Sequence, residues 1–215
     1  MIRWAAALAL LLCAGPAAGQ TPSPPTREQS LADLQRPDIE ARRQGAVWLG
    51  ETGRMEDVSA LVKALRDPDE VVRRLAENSL WRVWSRSGDP EIDALFALGV
   101  EQMGLRQGPA AVAIFTRIIE KKPEFAEGWN KRATVYYLMG EYEKSLADCD
   151  EVMKRNPDHF GALSGYGQIY LRLQQPERAL PYFERALAVN PNMEGVAQLI
   201  EELRALIVKK RRESV

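Results

Sequence analysis

The chain has 215 residues, 46% of them hydrophobic and 27% charged, with 29 basic and 30 acidic side chains for a formal net charge of −1. That balance lacks the basic excess with which nucleic-acid-binding domains neutralise phosphates, so nucleic acid is excluded as a partner. One histidine, His159, and two cysteines, Cys13 and Cys149, are too few for a metal site built from several His and Cys ligands.

Residues 1–19 read as a secretory signal peptide: Arg3, an apolar run from Trp4 to Leu12, then small residues up to Gly19. The apolar run is shorter than the roughly 20 residues of a membrane helix, and no later stretch is long and apolar enough, so no membrane insertion is expected after cleavage. Leu12 stands before Cys13 where a lipoprotein signal has a small residue, which argues against lipid attachment. Cleavage removes the only charge of the leader, Arg3, and leaves 196 residues at −2 with Cys149 as the single cysteine. An intramolecular disulfide is then impossible, and the expected location is periplasmic or secreted. Residues 20–27 carry Pro22, Pro24 and Pro25 and predict an extended Pro-rich linker.

From residue 28 to 88 the chain repeats at 31 residues. The stretch from Leu34 to Arg43 aligns with Leu65 to Arg74, and the match continues through Gly45 and Ala76, then Leu49 and Leu80. Asp67 is placed to cap the next helix with Pro68 in its first position, where a missing amide proton costs nothing. These units resemble short HEAT repeats.

Between residues 89 and 193 the period becomes 34, set by Pro123, Pro157 and Pro191. Asp89-Pro90-Glu91 predicts the helix start. Three columns keep the register: Ala111, Ser145 and Ala179; Phe115, Cys149 and Phe183; Ile118, Val152 and Ala186. Trp129, Tyr136, Gly140 and Tyr142 complete the middle unit, and three units follow without insertion, 92–125, 126–159 and 160–193. Together these columns resemble the tetratricopeptide repeat. Residues 194–212 carry one apolar stripe, Val196, Leu199, Ile200, Leu203, Leu206 and Ile207, which predicts a helix capping the open end. The expected fold is all-α: a right-handed α-solenoid of about eleven helices, continuous from HEAT-like units through three tetratricopeptide repeats to the cap, its halves joined through Trp81 and Trp84. As a whole the chain resembles exported proteobacterial tetratricopeptide proteins with short HEAT-like units in front.

No catalytic constellation emerges. Cys149 sits in a phenylalanine column and predicts packing between helices; His159 is expected on the rim of the groove. Glu141, Glu143, Asp148, Asp150 and Glu151 alternate with basic residues and predict a solvated, ion-paired face. Gly161, Gly165 and Gly167 follow no strand and precede no Lys-Ser/Thr, so they predict close helix packing rather than phosphate binding. Lys209 to Arg212 suit the end of a helix. No cofactor is implied.

The resemblance implies that the first helix of each unit lines a groove. In the first unit, Phe96, Val100 and Met103 either face that groove or are covered by the helix carrying Trp84. In the other two, Glu127 and Gly161 also fall on the lining, and the protein-binding candidates are Asn130, Lys131, Thr134, Tyr137, Ser164, Gln168, Leu171 and Arg172. Amides, hydroxyls and an aromatic ring in one strip suit an extended peptide. Relatives that clamp chaperone carboxylates need lysine, asparagine and arginine at places that hold Phe96, Val100, Lys131, Gly161 and Gly165 here, so that ligand is not expected. The expected function is a non-enzymatic adaptor for an envelope protein or peptide. The alternatives are a homo-oligomer stacking through exposed Leu31 and Leu34, or a cell-wall hydrolase or lyase subunit.

Overall fold

The computed structural model describes residues 24–213, all of it helix, turn or coil, with no strand among the described residues. The expected signal peptide and most of the linker lie outside those residues. Eleven α-helices follow in order, the number expected: α1 (Arg27–Asp33), α2 (Ile39–Thr52), a 3-10 turn (Met55–Asp57), α3 (Val58–Ala64), α4 (Glu70–Trp84), α5 (Pro90–Gly104), α6 (Gly108–Lys121), α7 (Ala126–Leu138), α8 (Tyr142–Arg155), α9 (Phe160–Arg172), α10 (Pro176–Val189) and α11 (Glu194–Glu213). Helix begins at Arg27, the residue at which the linker was expected to end, because Thr26 and Gln29 form a reciprocal capping box.

The 31-residue period is visible in three dimensions. Asp38 caps α2 through the Ala41 amide at 2.8 Å, and Asp69 caps α4 through Val72 at 2.9 Å. Asp67 was expected to be that cap. Instead its carboxylate accepts from Arg42 at 2.7 Å and from the Asp69 amide at 2.9 Å, so it braces the turn one step earlier. Arg42 and Arg73 each donate back to the turn preceding their helix, Arg42 to the Pro37 carbonyl and Arg73 to that of Asp67.

In the 34-residue units each second helix is closed by a C-cap residue, Lys122, Asn156 or Asn190, immediately before Pro123, Pro157 or Pro191. Proline cannot continue a helix, so the chain turns there. At the opposite turns Arg106, Gly140 and Gln174 all take positive φ, near 57°, 81° and 57°. The three sequence columns are buried, and what limits helix approach inside each unit is a residue pair. A methyl group added at Gly99 would stand 2.7 Å from the Phe115 ring, and one at Gly167 would stand 2.5 Å from the Phe183 ring. In the middle unit the same two places hold Ala133 and Cys149. The smaller thiol makes room for the alanine methyl. Arg132 adds a bidentate pair to the nearly buried Asp148, with both N···O distances 2.8 Å, and a 2.9 Å bond to Thr116, tying α6, α7 and α8 together.

The halves do join through Trp81 and Trp84, but the N-terminal helices do not simply extend the array from its first unit. One hydrophobic cluster contains Leu61, Leu65, Leu80 and Trp84 together with Phe160, Leu163 and Ala186. Asn192 donates to the Leu65 carbonyl at 2.8 Å, and Arg66 donates to the carbonyls of Ala188 and Val189. The N-terminal helices therefore lie along the turns that precede α9 and α11. Leu31 and Leu34, expected to be exposed, are half-buried against the same cluster. Leu203, Ile207 and Ile200 of α11 are buried, Leu203 and Ile200 in the cluster around α9 and α10.

The pairing rule predicts unequal costs for one added methyl group. Gly99→Ala and Gly167→Ala should each lower stability in urea denaturation by about 1–3 kcal/mol through overpacking. Ala133→Gly, which removes a methyl from the middle unit, should cost only about 0.5–1 kcal/mol through helix entropy. Equal effects at all three places would contradict the rule.

Candidate functional site

The site begins with the undersized pair. Ala133, Ser145 and Cys149 form one wall of a cleft of about 220 Å³ between α7 and α9, and Gly161, Gly165 and Ile169 contribute the other side. Flanking units fill this place with a phenylalanine ring; here a thiol leaves it open. Cys149 is buried, as its column implied, and burial followed by the charges of Asp148 and Asp150 pushes its thiol up to about 12. A thiol held in that state supplies almost no thiolate at neutral pH and is a poor nucleophile.

Of the eight candidate residues, the structure brings Asn130, Thr134, Tyr137 and Gln168 to this one cleft. Thr134 and Gln168 are exposed and point chemistry outward, although the Thr134 hydroxyl also donates to the Asn130 carbonyl at 2.9 Å. Arg172 joins them at one remove, its Nε donating to the Tyr137 hydroxyl at 3.0 Å. That bond, with the Tyr137 charge effect, raises the already high Arg172 pKa, so the guanidinium is a permanent cation beside the opening. Three candidates are placed differently. Ser164 is buried, Leu171 packs into the cluster around α9 and α10, and Lys131 turns toward Glu127. Cys149 and Ser145 were missing from the candidates because they sit on α8, a second helix that the repeat pattern assigns to packing, and Ala133 because it lies on the side of α7 turned toward α8.

Glu127, read as groove-lining, instead belongs to a buried joint with the N-terminal helices, whereas Gly161 does line the cleft and also meets that joint. Glu127 is fully buried and accepts from Asn130 at 3.1 Å, from Lys131 at 2.9 Å and from His159 Nε2 at 2.9 Å. His159 is likewise fully buried, not on the rim. Its Nδ1 accepts from the Ala162 amide at 3.1 Å and so caps α9. An accepting Nδ1 leaves the ring proton on Nε2, pointing at Glu127. Trp84 stacks on the imidazole with centroids 4.4 Å apart, and Trp81 meets it edge-on at 5.5 Å. A methyl group at Gly161 would strike the Trp81 ring at 2.5 Å, so the indole closes this end of the strip. Burial alone would push the Glu127 carboxyl up, but the His159 bond and the Lys131 ammonium outweigh it and hold it at about 2.

The acidic face also divides. Glu141, Glu151 and Lys144 make the expected exposed or half-exposed ion pairs. Asp148 is instead buried against Arg132, and Asp150 accepts from the Tyr166 hydroxyl. In the first unit Phe96 is buried against Phe115 and Phe125 rather than against Trp84, Val100 is exposed, and Met103 lines a separate apolar hollow with Val135, Leu138 and Met139.

The tetratricopeptide repeat family profile matches residues 124–192. A tetratricopeptide repeat-containing protein of Rhizobium etli is 33% identical over 154 residues, which cover 70% of this chain and 74% of that protein. Among solved structures, the tetratricopeptide domain of Sgt2 from Aspergillus fumigatus superposes with a TM-score of 0.54 at 21% identity, over 58% of this chain and 83% of that one. The first such domain of Spaghetti, solved bound to an HSP90 peptide, gives 0.52 at 20% identity over 54% of this chain and 93% of that one. At these identities the structures share the fold, a right-handed helical solenoid.

The buried carboxylate predicts acid sensitivity of known sign. Glu127 titrates near 2 when folded and near the ordinary 4.5 when unfolded. Its contribution is therefore complete above about pH 4.5 and is lost as pH falls toward 2. Denaturation of Glu127→Gln beside the parent should show a stability gap at pH 7 that shrinks by pH 3. A gap constant across that range would contradict the assignment.

Proposed function

This chain belongs to the tetratricopeptide repeat family, and we propose that it is a non-enzymatic adaptor of the cell envelope that holds a partner protein or extended peptide in the cleft between α7 and α9. The observation that carries this reading is the open middle unit. Thr134, Gln168 and Tyr137 surround an apolar floor of Ala133, Cys149 and Ile169. An extended segment can seat one small side chain on that floor while amide and hydroxyl groups at the rim pair with its backbone. Arg172 adds one cation at the mouth and favours an acidic residue beside the anchored one.

Binding rather than catalysis is supported by what the chemically capable groups are doing. The Cys149 thiol is held far above neutrality, and both ring nitrogens of His159 are committed to structural bonds. The solved Spaghetti domain carries an HSP90 peptide. The same fold thus accommodates a peptide in that protein. We further propose that residues 1–19 direct export to the periplasm or beyond, supported by the order of Arg3, apolar run and small residues. The 31-residue helix pairs are read as HEAT-like, supported by the repeated Asp caps and the Arg42 and Arg73 bonds.

Placing a photo-crosslinking residue at Gln168 or Thr134 in living cells should yield a discrete protein adduct. Placement at Arg185, on the exposed side of α10, should not. Adducts of identical pattern from all three places would overturn the assignment of the cleft. Asn130 is unsuitable for such a test because its amide holds Glu127.

A further inference from the structure

The repeat array opens on a helix with one side uncovered. Each later first helix lies between two second helices, α7 between α6 and α8, and α9 between α8 and α10. α5 rests on α6 and α7, while the N-terminal helices that precede it dock on the turns before α9 and α11 instead. Its outward side carries Ala94, Ala97, Leu98, Val100 and Leu105, with Leu98 44% and Leu105 59% exposed. Ala94, Leu98, Glu101 and Leu105 fall at i, i+4, i+7 and i+11, which sets them in one row along the helix. A terminal unit of a solenoid needs a polar outer face, and this one is apolar around a single carboxylate. Glu91 at the start of the helix is taken by Lys121 at 2.8 Å, whereas Glu101 enters no ion pair among the described residues.

The other end of the array carries the opposite charge. α11 has 20 residues where the helices of the three units have 13 to 15, so it is longer by roughly 8–10 Å. Ile200, Leu203 and Ile207 are buried, and the outer side bears a shallow hollow lined by Ala205, Val208, Lys209 and Arg212. Val208 is 49% exposed there. Arg204, on the same hollow, is held by Glu184 and Glu201 at 2.7 Å each. Lys209 lies 3.8 Å from Glu213, a solvated pair of little strength, and Arg212 enters no ion pair among the described residues. The basic surplus of this end therefore sits beside Val208.

We infer that the α11 end of one copy docks on the α5 face of the next, with Val208 seated between Leu98 and Leu105 and with Lys209 and Arg212 donating to Glu101. Leu98 and Leu105 stand seven residues apart, about 10 Å along the helix, which leaves a gap for one aliphatic side chain. Ala94 and Ala97 on one helix and Ala205 on the other let the backbones approach closely. Both halves of this complementarity, a carboxylate among aliphatic groups and two cations beside an aliphatic group, belong to the same chain, and that identifies the partner as a second copy. The contact joins unlike surfaces, so it adds copies head to tail. None of its residues lines the cleft between α7 and α9, so failure of this contact leaves the adaptor reading untouched.

The test is sedimentation velocity of the purified protein at low ionic strength over about 1–300 µM. The weight-average mass should rise with concentration past the dimer, and added salt should lower it. Leu98→Asp spoils the α5 face and Val208→Asp the α11 end, each at an exposed side chain, so each variant should keep its helix content and sediment as a monomer. An equimolar mixture of the two should give a one-to-one dimer and nothing larger, because one intact α5 face and one intact α11 end remain. Glu101→Arg should abolish assembly, and the same change combined with Lys209→Glu and Arg212→Glu should restore it. Three results overturn the proposal: a parent that stays monomeric throughout, a parent that stops at a dimer, which marks a symmetric contact, and a mixture of the two aspartate variants that stays monomeric.

Discussion

How closely two helices of one unit approach is decided by a single facing pair, and the consequences of that pair run through the molecule. Where a phenylalanine stands on the second helix, at Phe115 and Phe183, the first helix must offer glycine, at Gly99 and Gly167. Interiors are close-packed, so one methyl group in excess or deficit is felt. The middle unit solves the same contact with Ala133 and Cys149, which keeps the backbones in register but leaves ring volume unfilled. That deficit coincides with the cleft between α7 and α9. Stability and binding therefore meet at one column, with the flanking units supplying rigidity and the middle unit supplying room.

The second constraint is the buried joint of Glu127, His159, Trp81 and Trp84. It caps α9, fixes the imidazole tautomer and docks the N-terminal helices on the turns of the array. A buried carboxylate with its partners removed would be severely destabilising, so the joint is all-or-none in character. Its position also defines the binding strip by closing one end of it: Trp81 covers Gly161, and the accessible part runs toward Tyr137 and Arg172.

Most of the architecture was legible in the sequence because it is local. The prolines at 34-residue spacing, the Asp89 cap, the three buried columns and the stripe of α11 each depend on neighbours within a few turns. The errors share the opposite property. His159 and Glu127 read as rim and groove because the residues that bury them, Trp81 and Trp84, are more than 40 positions away, and no local pattern announces a docking of that kind. Asp67 lost its role as cap to Asp69, since both carboxylates suit a helix start and the choice was made by Arg42 reaching across from α2. At the site, Thr134, Tyr137 and Gln168 were found through repeat geometry, whereas the floor was missed. Cys149 was read correctly as a packing residue, but the signal in its column, a thiol where the flanking units have rings, also announced a void.

The central claim is that the cleft exists because the middle unit carries the small pair. The variant Ala133→Gly with Cys149→Phe installs the pair of the flanking units and fills the cleft with a ring that the fold already accommodates twice. Peptides selected on the parent protein from a random display library provide the ligand, and their affinity for the double variant is the measurement. The account predicts a helical protein of similar melting temperature that binds those peptides at least roughly tenfold more weakly. Unchanged affinity with the ring in place would contradict it.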